Sequence, residues 1–176
     1  MVPSDYVEAV ATRKQITMIS ELLRRAGKVS RSWRWNNVPL PEPHIVGMLA
    51  SATLHLSHPW RLPGSKRLYS GAGWTLVGAG VAISASAVRV ASDVDLERPA
   101  TLICSGPYAI SRNPMYVGWT LLYVGGALIT RNAWMVASVP VVAELIHRDV
   151  LREEHMLERA FGEEYAMYRR QVRRYL

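Results

Sequence analysis

From Tyr69 to Val90 the chain runs for 22 residues with Arg89 as the only charge, enough for a helix to cross a hydrocarbon core of about 30 Å. Gly71, Gly73, Gly78, Gly80, Ala82, Ser84 and Ala85 fall within it and let a neighbouring backbone approach closely, as helix packing in lipid requires. A second apolar segment opens at Pro114, a residue suited to the first helical turn, and runs through PMYVGWTLLYVGGALI to Ile129. Only Thr130, Arg131 and Asn132 separate it from a third segment, which predicts a tight helical hairpin. The third begins at Ala133, stays apolar to Val142, and then meets Glu144, His147, Arg148 and Asp149 without a glycine break. Its helix is expected to leave the membrane and continue in water. The remaining segment, Ile45 to Leu56, is short at 12 residues, but Leu40 to Trp60 gives 21 with Glu42 as the sole charge. The expected fold is all-α: a polytopic membrane protein with about four transmembrane helices, an amino-terminal interfacial helix and a cytoplasmic carboxyl-terminal helical extension.

Two domains are expected, an amphipathic basic segment at 1–38 and a membrane domain at 39–176. Between Ser4 and Ala26, Asp5 stands three residues before Glu8 as a capping pair, and Ile16, Ile19, Leu23 and Ala26 share one face. Trp33 and Trp35 beside Arg31 and Arg34 suit a helix in the headgroup layer; a flexible basic tail or a start codon placed too early are the alternatives. The opening MVPSDYVEAV lacks the basic-then-apolar pattern of a secretory signal, so insertion is expected to read an internal segment.

Charge orients the spans. The amino-terminal segment, the 89–113 loop and the carboxyl tail together hold 17 Lys and Arg residues, whereas the other two loops hold 4. By the positive-inside rule both termini and the 89–113 loop are expected to face the cytoplasm; the expected location is a bacterial inner membrane. The net charge of +7 does not point to nucleic acid, because the basic residues flank apolar segments instead of forming one stripe with interleaved aromatics. The single cysteine, Cys104, excludes an internal disulfide and a multi-cysteine zinc site. His44, His55 and His58 have no acidic or thiol partner nearby and are expected at the interface, not on a metal.

Chemistry concentrates in two stretches that the charge pattern places on one side, TLICSGPYAISRNPMYVG (101–118) and REEHMLERAFGEEYAMYRRQV (152–172). Gly106-Pro107 makes a turn and Pro114 opens a helix, so Tyr108 to Asn113 form a short connector at the membrane surface. A helix amino terminus beside Arg112 and Asn113 offers donors for a carboxylate. Glu153, Glu154, Tyr108 and Tyr116 are residue types that favour a sulfonium and an ammonium.

The pattern SGPY-x3-RNPMY-x-G, followed about 35 residues later by EE-x2-L-x3-FG-x-EY-x2-Y, resembles the isoprenylcysteine carboxyl methyltransferase and phospholipid methyltransferase superfamily, as a bacterial-type member, over roughly Leu68 to Leu176. The resemblance implies S-adenosylmethionine as cofactor, surrounded by Ala100, Thr101, Leu102, Ile103, Tyr108, Asn113, Pro114, Met115, Tyr116 and Glu153, with Arg112 and Glu154 completing the motif. Among these Arg112, Glu154 and Tyr116 are the candidate catalytic residues. Asn113 stands where the family often has histidine, so no titrating imidazole is available there. Asp149 stands where prenylprotein methyltransferases carry an arginine for the substrate, leaving Arg148 or Arg152 to substitute from the neighbouring turns. The implied function is methyl transfer to a lipophilic acceptor, foremost O-methylation of an isoprenylcysteine-like carboxylate. A carboxylate needs no base, whereas an amine, phenol or thiol must lose a proton; N- or S-methylation therefore stays open. A sterol-reductase-like membrane enzyme and a non-catalytic membrane scaffold are the readings from other classes.

Overall fold

The computed structural model describes residues 42–91 and 101–176, all within one compact unit, Trp35–Leu176. The expected amino-terminal helix and Ala100 lie outside the described residues. Among the described residues there are five α-helices and no strand: α1 Glu42–Ser57, α2 Lys66–Ala91, α3 Pro114–Thr130, α4 Ala133–Phe161 and α5 Glu163–Gln171, with a short 3-10 turn at Gly106–Ala109.

At 26 residues α2 is the one described helix that is long and apolar enough by itself to cross a membrane. Its buried positions are small, Gly73, Gly80, Ala87 and Ala91, while Leu68, Trp74 and Val81 are exposed. That is the inverse of a water-soluble helix, which hides its large apolar side chains. The small residues serve contact with α3. A Cβ on Gly80 would lie 2.7 Å from the Gly118 carbonyl oxygen, and one on Gly73 2.8 Å from that of Gly125. Gly73 and Gly80 are seven apart, as are Gly118 and Gly125, so the seam recurs every two turns and the two backbones touch along it.

Helix α1 spans 16 residues, about 24 Å at 1.5 Å per residue, and also exposes apolar side chains, including Val46, Leu49 and Leu56. It is tied to its neighbours by polar contacts. The His44 ring nitrogen Nε2 lies 3.1 Å from Thr120 Oγ1 on α3, and Ser138 Oγ on α4 lies 3.3 Å from Ser51 and 2.6 Å from the Tyr123 hydroxyl.

The α3–α4 connection is the tight hairpin that the three-residue spacing predicts. Arg131 closes α3 in the left-handed region (φ 53°), and the Asn132 side chain caps α4 by accepting from the Met135 amide at 3.2 Å. The tip is also stitched to the α1–α2 loop and to α1: Ala133 N–H donates to Trp60 O, Leu62 N–H donates to Arg131 O, and Asn132 Nδ2 donates to Ser51 O of α1. Helix α4 runs unbroken for 29 residues through Glu144, His147, Arg148 and Asp149. Gly162, with φ 51°, ends it, since positive φ is a conformation glycine adopts without strain. α5 and the 172–176 tail then fold back along α4.

Candidate active site

Three pieces of chain meet at the amino end of α3: the 101–113 connector, α4 near Glu154, and the tail. Glu154 is 7% exposed and is held from both sides. Arg112 Nη2 donates to its Oε1 at 2.9 Å, Arg174 Nε donates to the same oxygen at 3.1 Å, and Arg174 Nη2 donates to Oε2 at 2.9 Å. Burial alone would raise the carboxyl pKa, but the hydrogen bonds from Arg174 and Arg112 and their charges bring it below the ordinary glutamate value. Arg112 Nη1 donates to Arg169 O at 3.1 Å and its amide donates to Arg173 O at 2.9 Å. Asn113 is likewise turned to the tail, its Nδ2 donating to Arg174 O at 3.0 Å. The Tyr168 hydroxyl donates to Tyr108 O at 2.7 Å, so α5 holds the 3-10 turn as well. Two cations on one buried carboxylate, with the Arg169 carbonyl taking Arg112 Nη1 while Arg112 Nε is buried without a partner, make an anchor for the connector.

Glu153, the adjacent residue, faces a different environment. It acts electrostatically on both Tyr108 and Tyr116 and is hydrogen-bonded by the Tyr116 side chain. Burial raises the Glu153 pKa, the Tyr116 hydrogen bond opposes the rise, and the Glu154 charge adds to it. Burial and the Glu153 charge together push the Tyr108 phenol above its ordinary value. Two tyrosines and one carboxylate converging on one place form a site with aromatic faces and a single negative charge.

The other expected residues divide. Ile103, Tyr108 and Met115 pack together with Ala87 and Ala91 of α2, and Pro114 is buried. Thr101 is exposed and Leu102 half-buried beside them. Of the expected acceptor residues, Arg148 pairs with Glu144 at 2.9 Å and Arg152 with Asp149 at 3.0 Å, with the arginine side chains 62% and 76% exposed. Asp149 remains near enough to Tyr116 to act on it electrostatically. Reasoning from the motifs missed Arg174 and Tyr175, and gave no role to Tyr165 and Tyr168 although both stand in the EY-x2-Y motif. The signal for them is the Tyr165, Tyr168 spacing of one helical turn and the basic-aromatic ending RRYL, which resemble ordinary solvated residues until the tail is seen folded back.

The phospholipid methyltransferase family model matches residues 69–164, more than half of the chain, and the chain belongs to that family. It is 37% identical over 73 residues to human protein-S-isoprenylcysteine O-methyltransferase, covering 41% of this chain and 26% of that protein. It is 32% identical over 72 residues to the protein of the same name from Tribolium castaneum, covering 40% of this chain and 26% of that protein. The match thus spans about a quarter of the length of these curated relatives.

Proposed function

We propose that this protein is an integral membrane enzyme that transfers a methyl group from S-adenosylmethionine to a lipophilic acceptor. The observation that carries the reading is the convergence of Tyr108, Tyr116 and Glu153 beside the family motif. The chemistry of this set fits the cofactor: Glu153 suits its ammonium or sulfonium, and the tyrosine faces suit a soft cation. When bound, the cofactor supplies a methyl group activated by the positive sulfur. The chain's own residues align and dry the site. Arg112 and Glu154 bind each other and hold the connector, so their part is to position Tyr108 and Asn113 to Tyr116. An acceptor of the isoprenylcysteine kind, which the names of the relatives support, arrives as a carboxylate and needs only orientation.

α1, α2, α3 and the first half of α4 are the four spans of this reading, supported by their outward apolar side chains such as Leu49, Trp74 and Val141. Both termini and the site then lie on the cytoplasmic side, in accord with the 17 to 4 division of basic residues. Incubation of the purified protein with methyl-labelled S-adenosylmethionine and N-acetyl-S-farnesylcysteine tests the function. Label is expected in a base-labile ester in the organic phase. A protein that neither binds the demethylated cofactor nor labels any lipid would contradict it and would leave the scaffold reading standing.

A further inference from the structure

A cleft of about 560 Å³ opens between α3 and α4 and reaches the tail. Val117, Leu121 and Ile146 give it an apolar wall, and Tyr116, which also touches Glu153, stands on its border. Its described lining holds no lysine or arginine. Of its polar groups, Glu144 is taken by Arg148 and the Thr120 hydroxyl donates to Tyr116 O at 2.8 Å. The remaining polar groups include a pair: His147 Nδ1 lies 2.9 Å from the Tyr175 hydroxyl, and both residues line the cleft.

We infer that the cleft holds the apolar part of the acceptor and that His147, oriented by Tyr175, removes the proton from lipophilic thiols, which adds S-methylation to the range of this enzyme. The inference rests on the methyl-transfer reading of the same site. In the tautomer whose Nδ1–H donates to the Tyr175 oxygen, the imidazole presents the Nε2 lone pair as a base. A lining without Lys or Arg suits an acceptor that arrives neutral and becomes an anion only as it reacts. Among such neutral acceptors a thiol gives up its proton most readily and, once ionised, is the strongest nucleophile towards a methyl carbon, so a positioned base helps it most. In the step, the S–H proton passes to Nε2 and the thiol sulfur pair forms a bond to the methyl carbon. The carbon–sulfonium bond breaks with its electrons staying on the cofactor sulfur. The products are a thioether, S-adenosylhomocysteine and an imidazolium that returns its proton to water.

Farnesyl thiol and N-acetyl-S-farnesylcysteine share one apolar tail and test the inference on the full-length protein. The titratable groups around His147 are Tyr116 from α3, Glu144 with its partner Arg148 from α4, and Tyr175 with the Leu176 carboxylate from the tail. The parent enzyme is expected to methylate farnesyl thiol. His147→Gln should lower kcat/KM for the thiol about 100-fold or more at pH 7, since a positioned base contributes roughly 10²–10⁴-fold. The loss should shrink as pH rises and the thiol ionises unaided, and the thiol-to-carboxylate rate ratio should fall at least tenfold. Tyr175→Phe, which keeps the ring, should lower thiol turnover about tenfold with the melting temperature retained. Equal losses for both acceptors at every pH, or no thiol product from a parent protein that binds S-adenosylhomocysteine, would overturn the inference. Failure to bind S-adenosylhomocysteine at all would instead remove the methyl-transfer reading and this inference with it.

Discussion

Arg174 grips both oxygens of Glu154, Nε to Oε1 at 3.1 Å and Nη2 to Oε2 at 2.9 Å, and thereby ties the tail to the helix that carries Glu153. Arg112 completes the clasp from the connector at 2.9 Å. A planar fork suits this geometry and an ammonium does not. Arg174→Gln is expected to lower stability by about 1.5–3 kcal/mol, the range for hydrogen bonds to a charged group. Arg174→Lys should recover only part of the loss. Thermal unfolding in detergent measures both.

The same clasp sets a pH dependence. Glu154 has its folded pKa below the ordinary value, so its contribution is present above the unfolded value of about 4.3 and is lost as pH falls through the folded value. Glu153 has its pKa raised and acts in the opposite sense, favouring the folded state as pH falls. Melting temperatures between pH 7 and pH 3 should therefore drop less steeply for Glu154→Gln than for the parent. For Glu153→Gln the drop should be steeper.

The α2–α3 seam predicts a contrast between glycines of one helix. Gly80 faces the Gly118 carbonyl with no room for a Cβ, whereas a Cβ on Gly78 or Gly71 would meet nothing within 4 Å. Gly80→Ala should separate two backbones and destabilise by about 1–3 kcal/mol. Gly78→Ala should be neutral or stabilising by about 0.5–1 kcal/mol, because alanine favours the helix. Parallel melts of the two variants settle the direction.

At the hairpin tip, Asn132 caps α4 and holds Ser51 O at 3.2 Å. Asn132→Ala is expected to lose about 1–2 kcal/mol, as caps do. Affinity for the demethylated cofactor should not change in the variant that remains folded. A tenfold loss of affinity would bring the tip into the site.

Cys104 reports topology without any engineered label. It is exposed and lies in the connector, which the charge pattern places with both termini. An impermeant maleimide should label it in inverted membrane vesicles and spare it in intact cells. Labelling of intact cells would reverse the orientation.

Much of the helix pattern among the described residues was legible because long apolar runs bounded by charges stand out by length and by charge exclusion. The Pro114 start, the Ala133 start and the unbroken run through Asp149 all stand where the apolar pattern puts them. The Glu-Glu pair was legible as a motif, but not the separate parts its members take. Adjacent helical residues point about 100° apart, so Glu154 meets Arg112 and Arg174 while Glu153 meets the tyrosines. That division depends on where the tail returns, a contact between residues 20 apart in sequence that no local periodicity encodes. Arg148 and Arg152 carried the right charge for an acceptor, yet helix geometry gave each a local partner three or four residues away. His147, between them and the hairpin, lines the cleft together with Glu144 and Tyr175.

The measurement closest to the central claim is calorimetric titration of S-adenosylhomocysteine and S-adenosylmethionine into the parent protein and Glu153→Gln. Glu153 is the negative group that faces Tyr108 and Tyr116, and the substitution keeps its shape while removing its charge. Both ligands are expected to bind the parent. The variant should bind them about 10- to 150-fold more weakly, which corresponds to about 1.5–3 kcal/mol for one charge-assisted hydrogen bond. Equal affinities for parent and variant, at unchanged melting temperature, would contradict the placement of the cofactor and with it the account of this site.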